Sequence, residues 1–125
     1  MAKKDWLKRR LMYDHETTPN TGDPTDDQII ELDQFQAQLA ATLIVNVQVH
    51  GGSDSCTVQF WTKDDVLNGM AKSEKATFPP PGYTAPGIFA YKTDIAGQTP
   101  AITLPVITGE ISLSYVLTDR KIGGN

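Results

Sequence analysis

The chain has 125 residues, 39% of them hydrophobic and 21% charged, with a formal net charge of −4. That length matches a single domain able to bury a core without metal or disulfide staples, and one domain is expected. Cys56 is the only cysteine, which excludes an intrachain disulfide, and the eight prolines and ten glycines argue against a chain built largely of helices.

The first ten residues carry five basic side chains, Lys3, Lys4, Lys8, Arg9 and Arg10, against Asp5, whereas residues 11–40 carry seven acids and no Lys or Arg. Basic residues without a long apolar run do not make a signal peptide, and no later segment approaches a membrane span, so synthesis and assembly in a cytoplasm are expected. The stretch Thr17-Thr18-Pro19-Asn20-Thr21-Gly22-Asp23-Pro24 is rich in turn formers and poor in apolar residues. Residues 1–25 therefore read as an extended arm outside the core, and residues 26–125 as the folded domain. Trp6, Leu7, Leu11, Met12 and Tyr13 are large apolar side chains in that arm, which must be exposed, folded back or docked on a neighbour.

Thr25-Asp26-Asp27-Gln28 fits a helix capping box, and Ile29, Leu32, Phe35 and Leu39 share a helical face, yet Ile29-Ile30 also suits a strand; a strand over 28–32 is expected. From 35 to 49 every odd position is apolar while most even positions are polar. This alternation predicts one long strand with Phe35, Ala37, Leu39, Ala41, Leu43, Val45, Val47 and Val49 facing inward, in an antiparallel sheet packed on one side. Gly51-Gly52-Ser53-Asp54 is a turn, and Ser55 to Thr62 alternates again with Cys56, Val58 and Phe60 inward, so residues 40–62 read as a β-hairpin. Cys56 is then a buried, inert thiol. Trp61 falls on the face opposite Phe60 and is expected to be exposed unless a second sheet or a neighbouring subunit covers it.

Residues 63–86 read mostly as loop, with a possible tight turn at Asn68-Gly69 and a proline run, Pro79-Pro80-Pro81-Gly82-Tyr83, that excludes a central strand. Gly87 to Thr93 and Ala101 to Ile107 are shorter strands, and Glu110 to Thr118 alternates with Ile111, Leu113, Tyr115 and Leu117 on one side. These elements together predict an all-β fold, a single antiparallel β-sandwich or jelly roll of Greek-key type, with an extended N-terminal arm.

Motifs with a strong mechanical warrant are absent: there is no Gly-rich phosphate loop, nucleophile elbow, His-Glu-x-x-His or Cys-x-x-Cys. Catalysis is not supported, and neither a catalytic residue, a cofactor nor a metal is assigned. A zinc site would need His15 and His50 to converge with Cys56 or carboxylates, and nothing in the spacing argues for it. Asp23, Asp26 and Asp27, or Asp64 and Asp65, lack the regular spacing of a calcium loop and read as caps and turns. The basic tip points to an acidic protein surface rather than to nucleic acid, because five positive charges on a net-acidic chain give only a small, salt-sensitive contribution. The residues assigned to partner binding are Lys3, Lys4, Trp6, Lys8, Arg9, Arg10, Tyr13 and Trp61.

The series Ile29-Ile30-Glu31-Leu32, Leu43-Ile44-Val45-Asn46-Val47-Gln48-Val49, Gly51-Gly52, Val58-Gln59-Phe60-Trp61-Thr62-Lys63-Asp64-Asp65, and Leu104-Pro105 before Ile111-Ser112-Leu113-Ser114-Tyr115 resembles the jelly-roll decoration (cement) proteins of tailed-phage capsids. In that family an acid-leucine pair precedes a Leu-x-Val-x-Val strand, a Gly-Gly turn, a strand closing on Thr-Ser-Asp-Asp, and a Leu-Pro step before an x-Leu-x-Tyr strand. Lys63 stands where the family favours Ser, the basic arm is additional, and the chain stops about where a last family strand would follow. The resemblance implies a virion structural protein on the capsid surface, contacting the major capsid protein or another virion protein, commonly as a homotrimer, with no membrane partner. A neck or tail protein, or a carbohydrate- or receptor-binding module using Trp61, Tyr83 and Tyr91 as a stacking platform, is the competing reading.

Overall fold

The computed structural model describes residues 8–119. Seven strands run through it: β1 (Arg10–Glu16), β2 (Thr42–Val49), β3 (Ser55–Asp64), β4 (Gly69–Phe78), β5 (Gly87–Asp94), β6 (Pro100–Thr108) and β7 (Ile111–Thr118). They form an antiparallel β-sandwich, with strand order β1-β7-β2-β5 in one sheet and β4-β3-β6 in the other. Inward side chains of both sheets make the core, and Leu43, Val45, Val47, Val49, Val58, Ile102, Ile111 and Leu113 have no exposed surface. Leu43, Val45, Val47 and Val49 follow the alternation expected of β2, as do Cys56, Val58 and Phe60 in β3.

Several expected elements take another form. Residues 34–39 are not the start of the long strand but a helix, α1 (Gln34–Leu39). Asp33 caps it: its Oδ1 accepts the Gln36 N–H at 2.7 Å while the Asp33 N–H donates to Gln36 Oε1 at 3.1 Å. With its first turn so satisfied, the segment turns on helical spacing and leaves Phe35 half exposed. The expected strand over 28–32 shrinks to a single bridge, Ile29 to Ala101, after a 3-10 turn, Asp26–Gln28, in which the Thr25 N–H donates to Gln28 Oε1 at 2.8 Å.

That bridge explains the architecture. The Asn20 N–H donates to Leu104 O at 2.9 Å and the Ile30 N–H to Pro100 O at 2.9 Å, so residues 20–30 run antiparallel along the outer edge of β6. Counting this segment as a rudimentary strand gives two four-membered layers, and the chain crosses between them at every link except β3–β4, the arrangement of a jelly roll with one strand reduced.

The expected 40–62 hairpin is corrected: β2 pairs with β5 and β7, and β3 with β4 and β6, so the 50–54 link is an arch from one sheet to the other. Alternation shows which side chains point inward, and a hairpin and an arch satisfy it equally. Residues 69–78, read as loop, form β4, an edge strand hairpinned to β3. Its sequence Gly-Met-Ala-Lys-Ser-Glu-Lys-Ala-Thr-Phe is largely polar, with Ala76 and Phe78 alone reaching the core, and its lysines guard an edge.

The arm is corrected in part. Residues 10–16 belong to the sandwich, because β1 pairs with β7 from Arg10–Tyr115 to Glu16–Ile111 and buries Tyr13 in the core. The Tyr13 hydroxyl donates to Ile102 O at 2.6 Å, joining the two sheets, and burial raises its pKa well above the usual phenol range. No helix among the described residues is long and apolar enough to cross a membrane.

Candidate functional site

The registers place the assigned cations Lys8, Arg9 and Arg10 at one end of the sandwich and the two histidines at the other. Lys8, Arg9 and Arg10 are all exposed at the start of β1. Arg9 Nη1 lies 3.4 Å from Ser114 Oγ, and Arg10 lines a cleft of about 360 Å³ with Ile30, Glu31, Leu32, Gln36 and Tyr115. Burial raises the Tyr115 hydroxyl pKa, and the Arg10 charge opposes that rise. The β3–β4 hairpin tip projects from the same end, since β3 runs from the 50–54 arch toward Asp64. There Asp64 Oδ1 accepts the N–H groups of Val66 and Leu67 at 2.9 and 3.0 Å, and the turn holds Val66 92% and Leu67 81% exposed. Phe35 in α1 is exposed at that end too. Lys3, Lys4 and Trp6 lie outside the described residues.

Tyr13 and Trp61 do not serve as exposed anchors. Tyr13 is a core residue. Trp61 is 4% exposed on the outer face of its sheet, where its Nε1–H donates to Thr103 Oγ1 at 2.9 Å and Lys72 Nζ sits 5.7 Å over the ring. Residues 20–22 close around it, sharing with Gln59, Lys75 and Pro105 a small cavity of about 130 Å³. The face expected from parity is correct, and the cover comes from this chain itself. Tyr91 points inward and stacks on Phe60 at 5.6 Å, while Tyr83 is exposed, so Trp61, Tyr83 and Tyr91 do not form one platform.

At the other end of the sandwich the histidines converge, against expectation. His15 in β1 and His50 at the end of β2 stack with ring centroids 4.1 Å apart and planes at 20°. Glu110, in the turn between β6 and β7, places Oε1 2.9 Å from His15 Nδ1. That hydrogen bond is the main cause of a raised His15 pKa. Ser112 Oγ accepts the His15 N–H at 2.9 Å and pairs with His50 Nε2 at 2.8 Å. Beneath them Asp54 Oδ2 accepts the N–H groups of Gly51 at 2.9 Å and Glu110 at 3.2 Å, which ties the two sheet-crossing arches together. Gly109 permits this closeness: its φ is +78°, and a Cβ there would stand 2.0 Å from Asp54 Oδ1. Sequence spacing gave no sign of the cluster, because β1, the 50–54 arch and the 109–110 turn meet only through the strand order. Cys56 is buried apart from it, its thiol pKa pushed up to about 12 by burial.

No protein-family model matches the chain, and no curated protein or solved structure matches it either.

Proposed function

We propose that this protein is a non-enzymatic structural component of a tailed-phage virion, a capsid decoration protein that stabilises the shell by bridging its subunits. The observation that carries this reading is the end of the sandwich where exposed Phe35, Val66 and Leu67 accompany Lys8, Arg9 and Arg10. Large apolar side chains exposed at the same end of the sandwich as a group of cations suit docking on another protein surface. The motif order that resembles the decoration family, and a jelly-roll sandwich whose core is filled by its own side chains, support the same reading. Its partner is the major capsid protein or another virion protein, and a homotrimer would multiply weak contacts through effective concentration. The sugar-binding reading is weakened by the dispersal of Trp61, Tyr83 and Tyr91.

The test compares particles with and without the protein. Shells lacking it should be intact but break at lower temperature or under milder osmotic shock, and the purified protein should restore resistance. The double variant Val66→Ser with Leu67→Ser should fold normally and restore less. Particles equally robust in both states would overturn the proposal.

A further inference from the structure

We propose that His15, His50 and Glu110 form a surface site for one divalent transition-metal ion of the zinc class. The proposal is independent of the virion reading and rests on the arrangement of these three side chains. One possible ligand atom from each lies within 4.8 Å of the other two. Two imidazoles and one carboxylate are the donors that zinc and its neighbours prefer, whereas calcium and magnesium favour all-oxygen sets.

The geometry needs little adjustment. Zinc bonds of 2.0–2.2 Å place tetrahedral ligand atoms roughly 3.4 Å apart. Contraction from 4.8 Å to that spacing is within side-chain rotation here, since the His15 and Glu110 side chains are 56% and 43% exposed. His15 Nδ1 and Glu110 Oε1 share a hydrogen bond at 2.9 Å, closer than two ligands on one ion, so an ion would take the place of the shared proton as the two atoms move slightly apart.

The backbone points the same way. His15 has a φ of +52°, within the irregular pairing between Tyr13 and Glu16, where three steps along β1 oppose two along β7. A bulge that holds a non-glycine residue in the left-handed region costs energy, and here it turns the His15 ring onto His50. Ser112 contacts both histidines and Asp54 fixes the Glu110 backbone, the kind of outer support that orients metal ligands. Three protein ligands leave a fourth position open to water or to a side chain of a neighbouring molecule. An ion so held would pin β1 to both arches.

The test is clean because the chain has two histidines and one cysteine. Calorimetric titration of the full chain with zinc chloride at neutral pH should show one ion bound per chain, and cobalt(II) should give the visible absorption of a tetrahedral site. The thermal midpoint should rise with added zinc. His50→Gln, and His15→Asn, which keeps a residue tolerant of positive φ, should each weaken binding by at least about tenfold with circular dichroism unchanged. Glu110→Gln should weaken it as well, while its backbone bond to Asp54 is kept. No zinc binding to the wild-type chain, binding undiminished in the double histidine variant, or calcium bound as tightly as zinc would each overturn the assignment.

Discussion

Tyr13 offers the sharpest test of whether β1 belongs to the fold. The residue is 8% exposed, with its ring in the core, and its hydroxyl donates to Ile102 O in the opposite sheet at 2.6 Å. Tyr13→Phe keeps the ring and strands a buried carbonyl, which should cost about 1–3 kcal/mol. Tyr13→Ala also opens a cavity, and loss of a buried aromatic ring costs about 3–5 kcal/mol. A chain of 125 residues has a total stability of about 6–19 kcal/mol, so the alanine variant should lose a large share of it. Urea unfolding followed by tryptophan fluorescence is a suitable assay, because Trp61 is buried in the native state. The midpoints should fall in the order wild type, Tyr13→Phe, Tyr13→Ala with little change in slope. A Tyr13→Ala variant within about 0.5 kcal/mol of wild type would refute the docking of β1.

Truncation should divide sharply: removal of residues 1–8 leaves a cooperative unfolding transition, whereas removal of residues 1–24 strips β1 from β7 and abolishes it, as thermal circular dichroism would report. Val47→Asp places a charge at a fully buried position and should unfold the domain, while Gln48→Glu, next along β2 and exposed, should change the melting temperature little; equal stabilities would put the strand register in error. Gly109→Ala forces a side chain into a left-handed turn against Asp54 and should destabilise by about 1–3 kcal/mol, measurable by urea titration. The Cys56 thiol should resist a disulfide reagent at mildly alkaline pH until urea exposes it. Because its folded pKa is raised to about 12, its contribution to stability is complete below the ordinary thiol range and is lost as pH climbs from there through 12; Tyr13, shifted upward as well, extends the alkaline decline.

Side-chain direction was the legible part of the sequence, and strand partnership was not. Alternation placed Leu43 through Val49, Cys56 through Phe60 and most of β7 correctly, since one buried face leaves a period-two record. It was silent on which strand lies beside which, so an arch read as a hairpin. β4 escaped notice because only Ala76 and Phe78 of it reach the core, too short an alternation to stand out, and Lys72, Glu74 and Lys75 resemble a loop. Residues 34–39 satisfied both periods, and the Asp33 cap decided between them. The exposed cations Lys8, Arg9 and Arg10 were found by charge alone. Trp61 was assigned its correct side, but its cover is an irregular stretch far away in sequence, and the His15–His50–Glu110 cluster is likewise a product of topology.

The pairing of β1 with β7 also governs when the molecule can become itself. The first strand of the sandwich finds its partner in the last, and β2 lies between β5 and β7, so the four-stranded sheet has no complete neighbour set until the C-terminal strand emerges from synthesis. Loop closure over nearly the whole chain must precede the contacts that repay it, which places folding in the slow, millisecond-to-second class of all-β proteins. During that interval β2 presents an unpaired backbone edge beside the apolar row of Leu43, Val45, Val47 and Val49, a segment prone to pair with another copy. An interrupted translation product ending before residue 111 would lack β7 and retain that exposed edge.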